Sequence, residues 1–249
     1  MVPLRRLLIV PAAGLGSRLG SVRPKPLVPV AGRPMIDRVL DLYAPFVERT
    51  VVIASPSFAG VLRERGSARV AVAEQREPTG MLDAILLAAA AVDAARPDRV
   101  WITWCDQVGV LPATTRRLAI AERDGAALVF PTVTRADPYV HFARDAAGRI
   151  VDVLHRREGD ALPDVGESDM GLFALSRDAF DLLPEYARTI GPGRGTGERN
   201  FLPFIPWLSA RATVTTVPCT DPREAIGINT MEELRLVERW IQECEQAPR

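Results

Sequence analysis

Gly14, Gly16, Arg18, Lys25 and Asp106 are the residues whose types and spacing could do chemistry together. Small residues dominate from Ala12 and Ala13 to Gly20, and Gly14 and Gly16 allow a sharp turn that brings backbone N–H groups close to an anion. Arg18 adds a cation inside that loop. Lys25 adds another between two prolines, on a segment expected to be stiff and extended, from which it reaches a phosphate at little entropic cost. Asp106 closes the apolar run RVWITWC, and open α/β sheets place ligands at the C-terminal ends of such strands. A lone carboxylate beside nucleotide phosphates is an ordinary Mg²⁺ ligand. The bland reading, a cap for a helix beginning near Pro112, leaves residues 107–111 unexplained.

These side chains need a scaffold, and the apolar pattern supplies one. Residues 7–10 read as a buried first strand that stops at Pro11, and a helix with Pro34 in its first position follows, with Met35, Ile36, Val39, Leu40 and Tyr43 on one face. Strands are predicted over 50–54, 70–73 and 126–131, with helices around 61–64, over 81–92 and over 113–123. Alternation of this kind gives a mostly parallel sheet. Beyond Asp137 the texture changes to a hairpin, 139–144 with 149–154, then a strand over 171–175 and a helix over 177–183. Residues 190–200 hold four glycines and two arginines, a composition shared by mobile flaps and plain linkers. A last strand over 213–217 leads to an amphipathic helix whose start, Thr230 with Glu233, reads as a capping box.

Composition narrows the partners. Lys plus Arg and Asp plus Glu number 31 each, so no global field draws the chain to nucleic acid or to a membrane. No apolar run approaches the ~20 residues of a membrane span, and nothing near Met1 resembles a signal peptide. Three cysteines without metal-type spacing point to a reducing cytoplasm. Only two histidines are available, and neither is assigned to catalysis.

Two common phosphate loops fail on spacing. After Gly14 and Gly16 the third dinucleotide-binding glycine falls on Leu19, and no Gly-Lys-Ser/Thr tripeptide occurs. What stands, A-A-G-x-G-x-R followed by P-K-P-L, resembles the signature of the sugar-phosphate nucleotidyltransferases. The resemblance extends to Gln75, Pro78 and Gly80 (Q-x-x-P-x-G), to Asp106, and to Gly227-Ile-Asn229-Thr230. It implies a Rossmann-like α/β fold with a mixed, mostly parallel sheet flanked by helices and a small β insertion. Residues 1–249 then form one domain, with a nucleotide half of about 1–135, an acceptor-binding insertion of about 136–212, and a closing strand and helix of about 213–249.

The resemblance also assigns roles. An acceptor phosphate attacks the α-phosphorus of a nucleoside triphosphate, with UTP or dTTP favoured and pyrophosphate leaving. Arg18 and Lys25 neutralise phosphates, Ala12, Ala13, Gly14 and Gly16 cradle them, Gln75 and Gly80 receive the base, and Asp106 and Asn229 hold Mg²⁺. Tyr139, Arg157, Asp169, Gly171 and Glu198 fall in the acceptor region, whose match to the N-acetylglucosamine 1-phosphate uridylyltransferases is altered. Their E-x-K falls on His155-Arg156-Arg157, their E-x-N-x-G on Glu167-Ser168-Asp169-Met170-Gly171, and their Tyr-Gly-Arg on Tyr139-Val140-His141. Other readings stay open: a cytidylyltransferase acting on a phosphate or phosphonate with a cationic head, for which Asp169 is suited, or a non-catalytic nucleotide or sugar sensor. No hexapeptide repeats of an acetyltransferase are present, so no second activity is expected. A homo-oligomer is compatible with the sequence.

Overall fold

A computed structural model describes residues 4–14, 16, 19, 20, 23–65 and 67–246. The chain opens with β1 (Arg6–Ala12), a 3₁₀ turn (Lys25–Leu27), the two-residue strands β2 (Pro29–Val30) and β3 (Arg33–Pro34), and α1 (Met35–Tyr43). Then come β4 (Arg49–Ala54), α2 (Pro56–Arg65), β5 (Val70–Glu74), α3 (Met81–Leu86), α4 (Ala89–Ala95), β6 (Arg99–Thr103) and α5 (Pro112–Ala121). The second half holds β7 (Leu128–Ala136), β8 (Val140–Arg144), β9 (Ile150–His155), β10 (Val165–Asp169), β11 (Leu172–Ser176), α6 (Arg177–Asp181) and α7 (Leu183–Thr189). It closes with α8 (Phe204–Ser209), β12 (Val214–Pro218) and α9 (Met231–Gln246).

The central sheet runs β10-β7-β11-β6-β1-β4-β5, with β12 also paired to β7. The pairs β1–β4, β1–β6, β4–β5 and β12–β7 are parallel, while β11 and β10 enter antiparallel. Period-2 alternation explains why both faces are covered. Leu8 and Val10 pack with α1, α2 and α9, whereas Leu7 and Ile9 pack with α3, α4 and α6 to α8. At the strand starts the buried Glu122 accepts from Arg6 Nε at 2.5 Å and Trp101 Nε1 at 2.7 Å, which ties β1 to β6. The chain leaves β1 for β4 and β5 on one side and returns through β6 on the other, so the loops after β1 and β6 diverge over a crevice.

Several local expectations change. β1 continues through Pro11 to Ala12, because β6 flanks it only as far as Ile9 and beyond that the strand needs β4 alone. Pro34 precedes α1 as its N-cap, with ψ 141°, rather than starting it. Lys25 sits in a 3₁₀ turn, not an extended segment: Leu27 N bonds Pro24 O and Val28 N bonds Lys25 O, and the prolines tolerate a helical start. The helix expected over 81–92 is two, because Leu87, Ala88 and Ala91 donate to carbonyls three residues back and tighten the turn between α3 and α4. Of the β insertion, only β8 and β9 stand as their own two-stranded sheet. Strands β10 and β11 join the central one, since Leu172 to Leu175 are fully buried between its layers. Among the described residues no helix is long and apolar enough to cross a membrane.

Candidate active site

Two cavities meet over the crevice. One, of ≈ 210 Å³, is lined by Ala12, Ala13, Gly14, Lys25, Gln75 and Gly80, among others. Its neighbour, of ≈ 360 Å³, includes Tyr139, His155, Arg157, Asp169, Asn200 and Asn229. Met81, Trp104, Asp106 and Glu198 line both. Asp106 therefore stands on the boundary.

At that boundary three of the sequence candidates form one cluster. Lys25 Nζ donates to Asp106 Oδ2 at 2.5 Å and to Asn229 Oδ1 at 3.0 Å. Both charged side chains are largely screened from water, 15% exposed for Lys25 and 17% for Asp106. Asp106 follows β6, Lys25 follows β1, and Asn229 precedes α9, whose start is fixed by a capping box: Thr230 N donates to Glu233 Oε2 at 2.8 Å and Glu233 N to Thr230 Oγ1 at 3.2 Å. Asn229 N also donates to Glu233 Oε2 at 2.8 Å, so capping and placement of Asn229 are one device. The backbone joins the two partners again through Ile228 N to Asp106 O at 3.2 Å.

The donor set suits a divalent ion. A carboxylate oxygen and an amide oxygen converge on one cation, the Lys25 ammonium, and hard oxygen ligands of this kind suit Mg²⁺. Among the described residues no group of three or more His, Cys, Asp or Glu side chains could hold a metal. An ion here would complete its shell from phosphate and water, as Mg²⁺ commonly does.

The glycines divide by role. Gly16, at φ +62°, holds a conformation L side chains rarely adopt, and a Cβ there would lie 2.6 Å from Lys25 Cβ. Gly14 has open space where its Cβ would stand. Arg18 lies outside the described residues. Gln75 is buried, and its Nε2 donates to Gly80 O at 3.1 Å, closing the loop. Gly80, at φ +129°, faces the backbone of Arg199 on its Cβ side, so close approach there serves a protein segment.

That segment is the glycine-rich stretch left open between flap and linker, and it is a strap. Gly195 N and Thr196 Oγ1 donate to Glu158 at 2.8 and 2.6 Å, and Arg194 pairs with Asp160 at 2.8 Å. At its other end Arg199 N donates to Thr79 O at 2.9 Å, Leu82 N to Arg199 O at 3.1 Å, and Arg199 pairs with Asp83. A Cβ on Gly195 would run into the carbonyl of Arg157. Glu198 is thereby suspended between the two cavities.

In the larger cavity, Asp169 Oδ1 accepts from Gly171 N at 2.6 Å, while burial pushes its carboxyl up to about 6 against that bond. Gly171, at φ +64°, lines neither cavity but packs behind Trp104 and Gln107, with Trp104 N donating to Gly171 O at 2.9 Å. His155 stands edge-on to Tyr139, and burial lowers its pKa. His141 accepts from Glu167 N at 3.1 Å and serves as a structural hydrogen-bond acceptor. Sequence reasoning gave no role to Trp104, Gln107, Glu158 or Thr196. For Trp104 and Gln107 the signal was there, since they flank Cys105-Asp106 at a strand end; Glu158 and Thr196 meet only through folding.

Residues 8–167 match a family model described as the MobA-like NTP transferase domain. The bifunctional protein GlmU of Cupriavidus necator is 31% identical over 248 residues, covering 97% of this chain and 53% of the relative. The protein of the same name from Solibacter usitatus is 28% identical over 250 residues, covering 96% and 52%, and that from Cupriavidus taiwanensis is 30% identical over 248 residues, covering 97% and 53%. The chain spans about half the length of the curated relatives it matches.

Proposed function

The chain belongs to the family of MobA-like NTP transferase domains, and on that premise we propose that it transfers a nucleotidyl group, uridylyl or thymidylyl, to a sugar 1-phosphate. The observation that carries the reading is the pair of cavities joined at Asp106 and Glu198, one beside the glycine loop and one beside β8 and β9. The smaller takes the triphosphate and base, the larger the acceptor. Residues 1–249 act as one catalytic domain.

A phosphate monoester is already an anion at pH 7, so the difficulty is bringing anions together and no protein general base is needed. An oxygen of the acceptor phosphate attacks the α-phosphorus in line, and the bond to the β-phosphate oxygen breaks with its electrons leaving on pyrophosphate. The amides of Ala13, Gly14 and Gly16 and the cations Arg18 and Lys25 bind the triphosphate and oppose the charge that gathers on its oxygens. Asp106 and Asn229 would hold Mg²⁺, which supplies further charge neutralisation at the phosphates when bound. Gln75 receives the base on the cavity side of the loop that its bond to Gly80 O closes, while Tyr139, Arg157, Asp169 and Glu198 orient the acceptor with Gly171 supporting them from behind. The free thiols of Cys105, Cys219 and Cys244 accord with a reducing cytoplasm.

A second reading is favoured by one specific observation: six carboxylates among the described residues line the acceptor cavity, Asp169 and Glu198 among them. They suit a cationic head group, so phosphocholine or aminoethylphosphonate with CTP is the rival pair. Pyrophosphate release with Mg²⁺, across UTP, dTTP, CTP, ATP and GTP against sugar 1-phosphates, phosphocholine and aminoethylphosphonate, decides between them. Release with UTP or dTTP and a sugar 1-phosphate supports the first reading. Release only with CTP and an amine acceptor installs the second, and triphosphate binding without turnover on any pair would leave a sensor.

A further inference from the structure

We propose that Lys25 is the resident cation of the metal site and that a divalent ion and the Lys25 ammonium occupy the Asp106–Asn229 oxygens in alternation. The inference rests on the metal reading above and goes beyond it, because it assigns Lys25 two positions. Its ammonium already holds one oxygen from each candidate ligand, at 2.5 and 3.0 Å. Those distances leave no room for a second cation bound to the same two atoms. Like charges so close repel strongly in a partly buried setting, where water screens them poorly. The divalent ion therefore enters as the ammonium leaves.

The surroundings restrict where Lys25 can go. Its backbone is set in the 3₁₀ turn between Pro24 and Pro26, and its Cβ packs on Gly16, so the change is one of side-chain rotamer. The nearest place built for anions is the glycine loop, whose residues Ala13 and Gly14 share a cavity with Lys25. A triphosphate seated there gives the departing ammonium a new anionic partner. Without a triphosphate, Glu198 is the one carboxylate other than Asp106 among the described residues lining that cavity, so the departing ammonium has less anionic charge to meet. The metal alone must accordingly compete with the ammonium, whereas metal and triphosphate together open the site, and Asp106 stays neutralised in both states.

Mn²⁺ alone, titrated into the full chain without nucleotide and followed by electron paramagnetic resonance of the free ion, tests this. The variant Lys25→Met keeps the stem and removes the competing charge. It should bind Mn²⁺ about tenfold more tightly than wild type or better, as expected when the competent state is about a tenth populated. Equal affinities would leave the metal site standing and overturn the alternation. No binding by either protein would overturn both. Should Lys25→Met fail to fold, Lys25→Gln carries the same comparison: it too removes the competing charge and should bind Mn²⁺ alone severalfold more tightly than wild type. Affinity equal to or weaker than wild type would sink the proposal.

Discussion

On the glycine-loop side of the crevice and at its boundary, Lys25, Asp106, Asn229 and Gln75 all satisfy one another or their own loop. Across it, Gln107 Oε1 and His155 Nδ1 are buried with no hydrogen-bond partner among the described residues, and His155 Nδ1 stands 4.0 Å from Glu158 Oε1. Buried polar atoms are seldom left so, because each costs on the order of 1–3 kcal/mol. The difference separates two ways of waiting for a ligand. The glycine-loop side holds internal stand-ins that a ligand displaces, while the acceptor side keeps polar atoms in reserve. It follows that charge removal should be most damaging on the first side and that changes of hydrogen bonding should register as selectivity on the second.

The largest effect expected is at the boundary itself. Asp106→Asn removes the negative charge that faces Lys25 and that the candidate metal pair supplies, and should lower pyrophosphate-release turnover by on the order of 10²-fold or more. Lys25→Ala should match it in size, since the pair acts as a unit. Near-normal turnover in either variant would remove that residue from the chemistry and dissolve the contrast drawn above.

Asp169→Asn comes next and is read as stability against pH. The folded-state pKa of about 6 lies above the ordinary carboxylate value, so the folded protein holds this proton more tightly than the unfolded chain. Stability from this group is therefore present at low pH and lost as pH rises between about 4 and 6. At roughly 1.4 kcal/mol per unit, ionised Asp169 costs on the order of 2–3 kcal/mol at pH 7. Denaturant titrations should find Asp169→Asn more stable than wild type at pH 7 and equal to it near pH 4. An unchanged gap across that range would show that the carboxyl is not held under strain. In the same variant, preference should move away from amine acceptors if the second functional reading holds.

The strap gives a smaller effect. Glu158→Ala removes the acceptor for Gly195 N and Thr196 Oγ1, while the bonds from Arg199 to Thr79 and Leu82 remain. The acceptor KM should rise about tenfold, in line with loss of one charged hydrogen-bonding group. The nucleotide KM should stay within about twofold. Equal rises in both would mean that the strap serves the two sides as one.

How much of this was legible in the sequence follows the same divide. The parallel layers around β1, β4 and β6 were readable because their apolar runs are short, continuous and bounded by breakers, and Leu7 to Val10 alternate between two cores. The glycine loop, Asp106 and Asn229 were readable because each lies in a local motif. The pairing of Lys25 with two residues 81 and 204 positions away was not, since no local pattern encodes a contact between strand ends. The strap escaped for the opposite reason. Its glycines looked permissive, yet Gly195 is required by the carbonyl of Arg157, and outside the strap Gly80 is required by the backbone of Arg199; such close approaches exist only after folding. Similarly, β11 was read as part of the β insertion and β10 as polar loop, although both belong to the central sheet by their register.

The subtlest prediction concerns the two loop glycines, which the sequence treats alike. Gly16 is required by the fold: its φ of +62° and the Cβ of Lys25 leave a methyl no place. Gly14 meets neither demand. A Cβ built on it finds nothing within 4 Å and its φ lies outside the left-handed region, so Gly14→Ala should change stability by no more than about 0.5 kcal/mol, or raise it slightly through the unfolded chain. The empty space nevertheless borders the cavity assigned to the triphosphate. A methyl there would keep phosphates from approaching the loop amides and should weaken triphosphate binding by about tenfold, the size of one lost hydrogen bond to a charged group. Calorimetric titration of the two variants separates the cases. Gly16→Ala should lose stability and binding together, whereas Gly14→Ala should lose binding alone. If Gly14→Ala binds the triphosphate as wild type does, the space beside it is not where phosphates lie, and the division of the crevice would have to be redrawn around Lys25 alone.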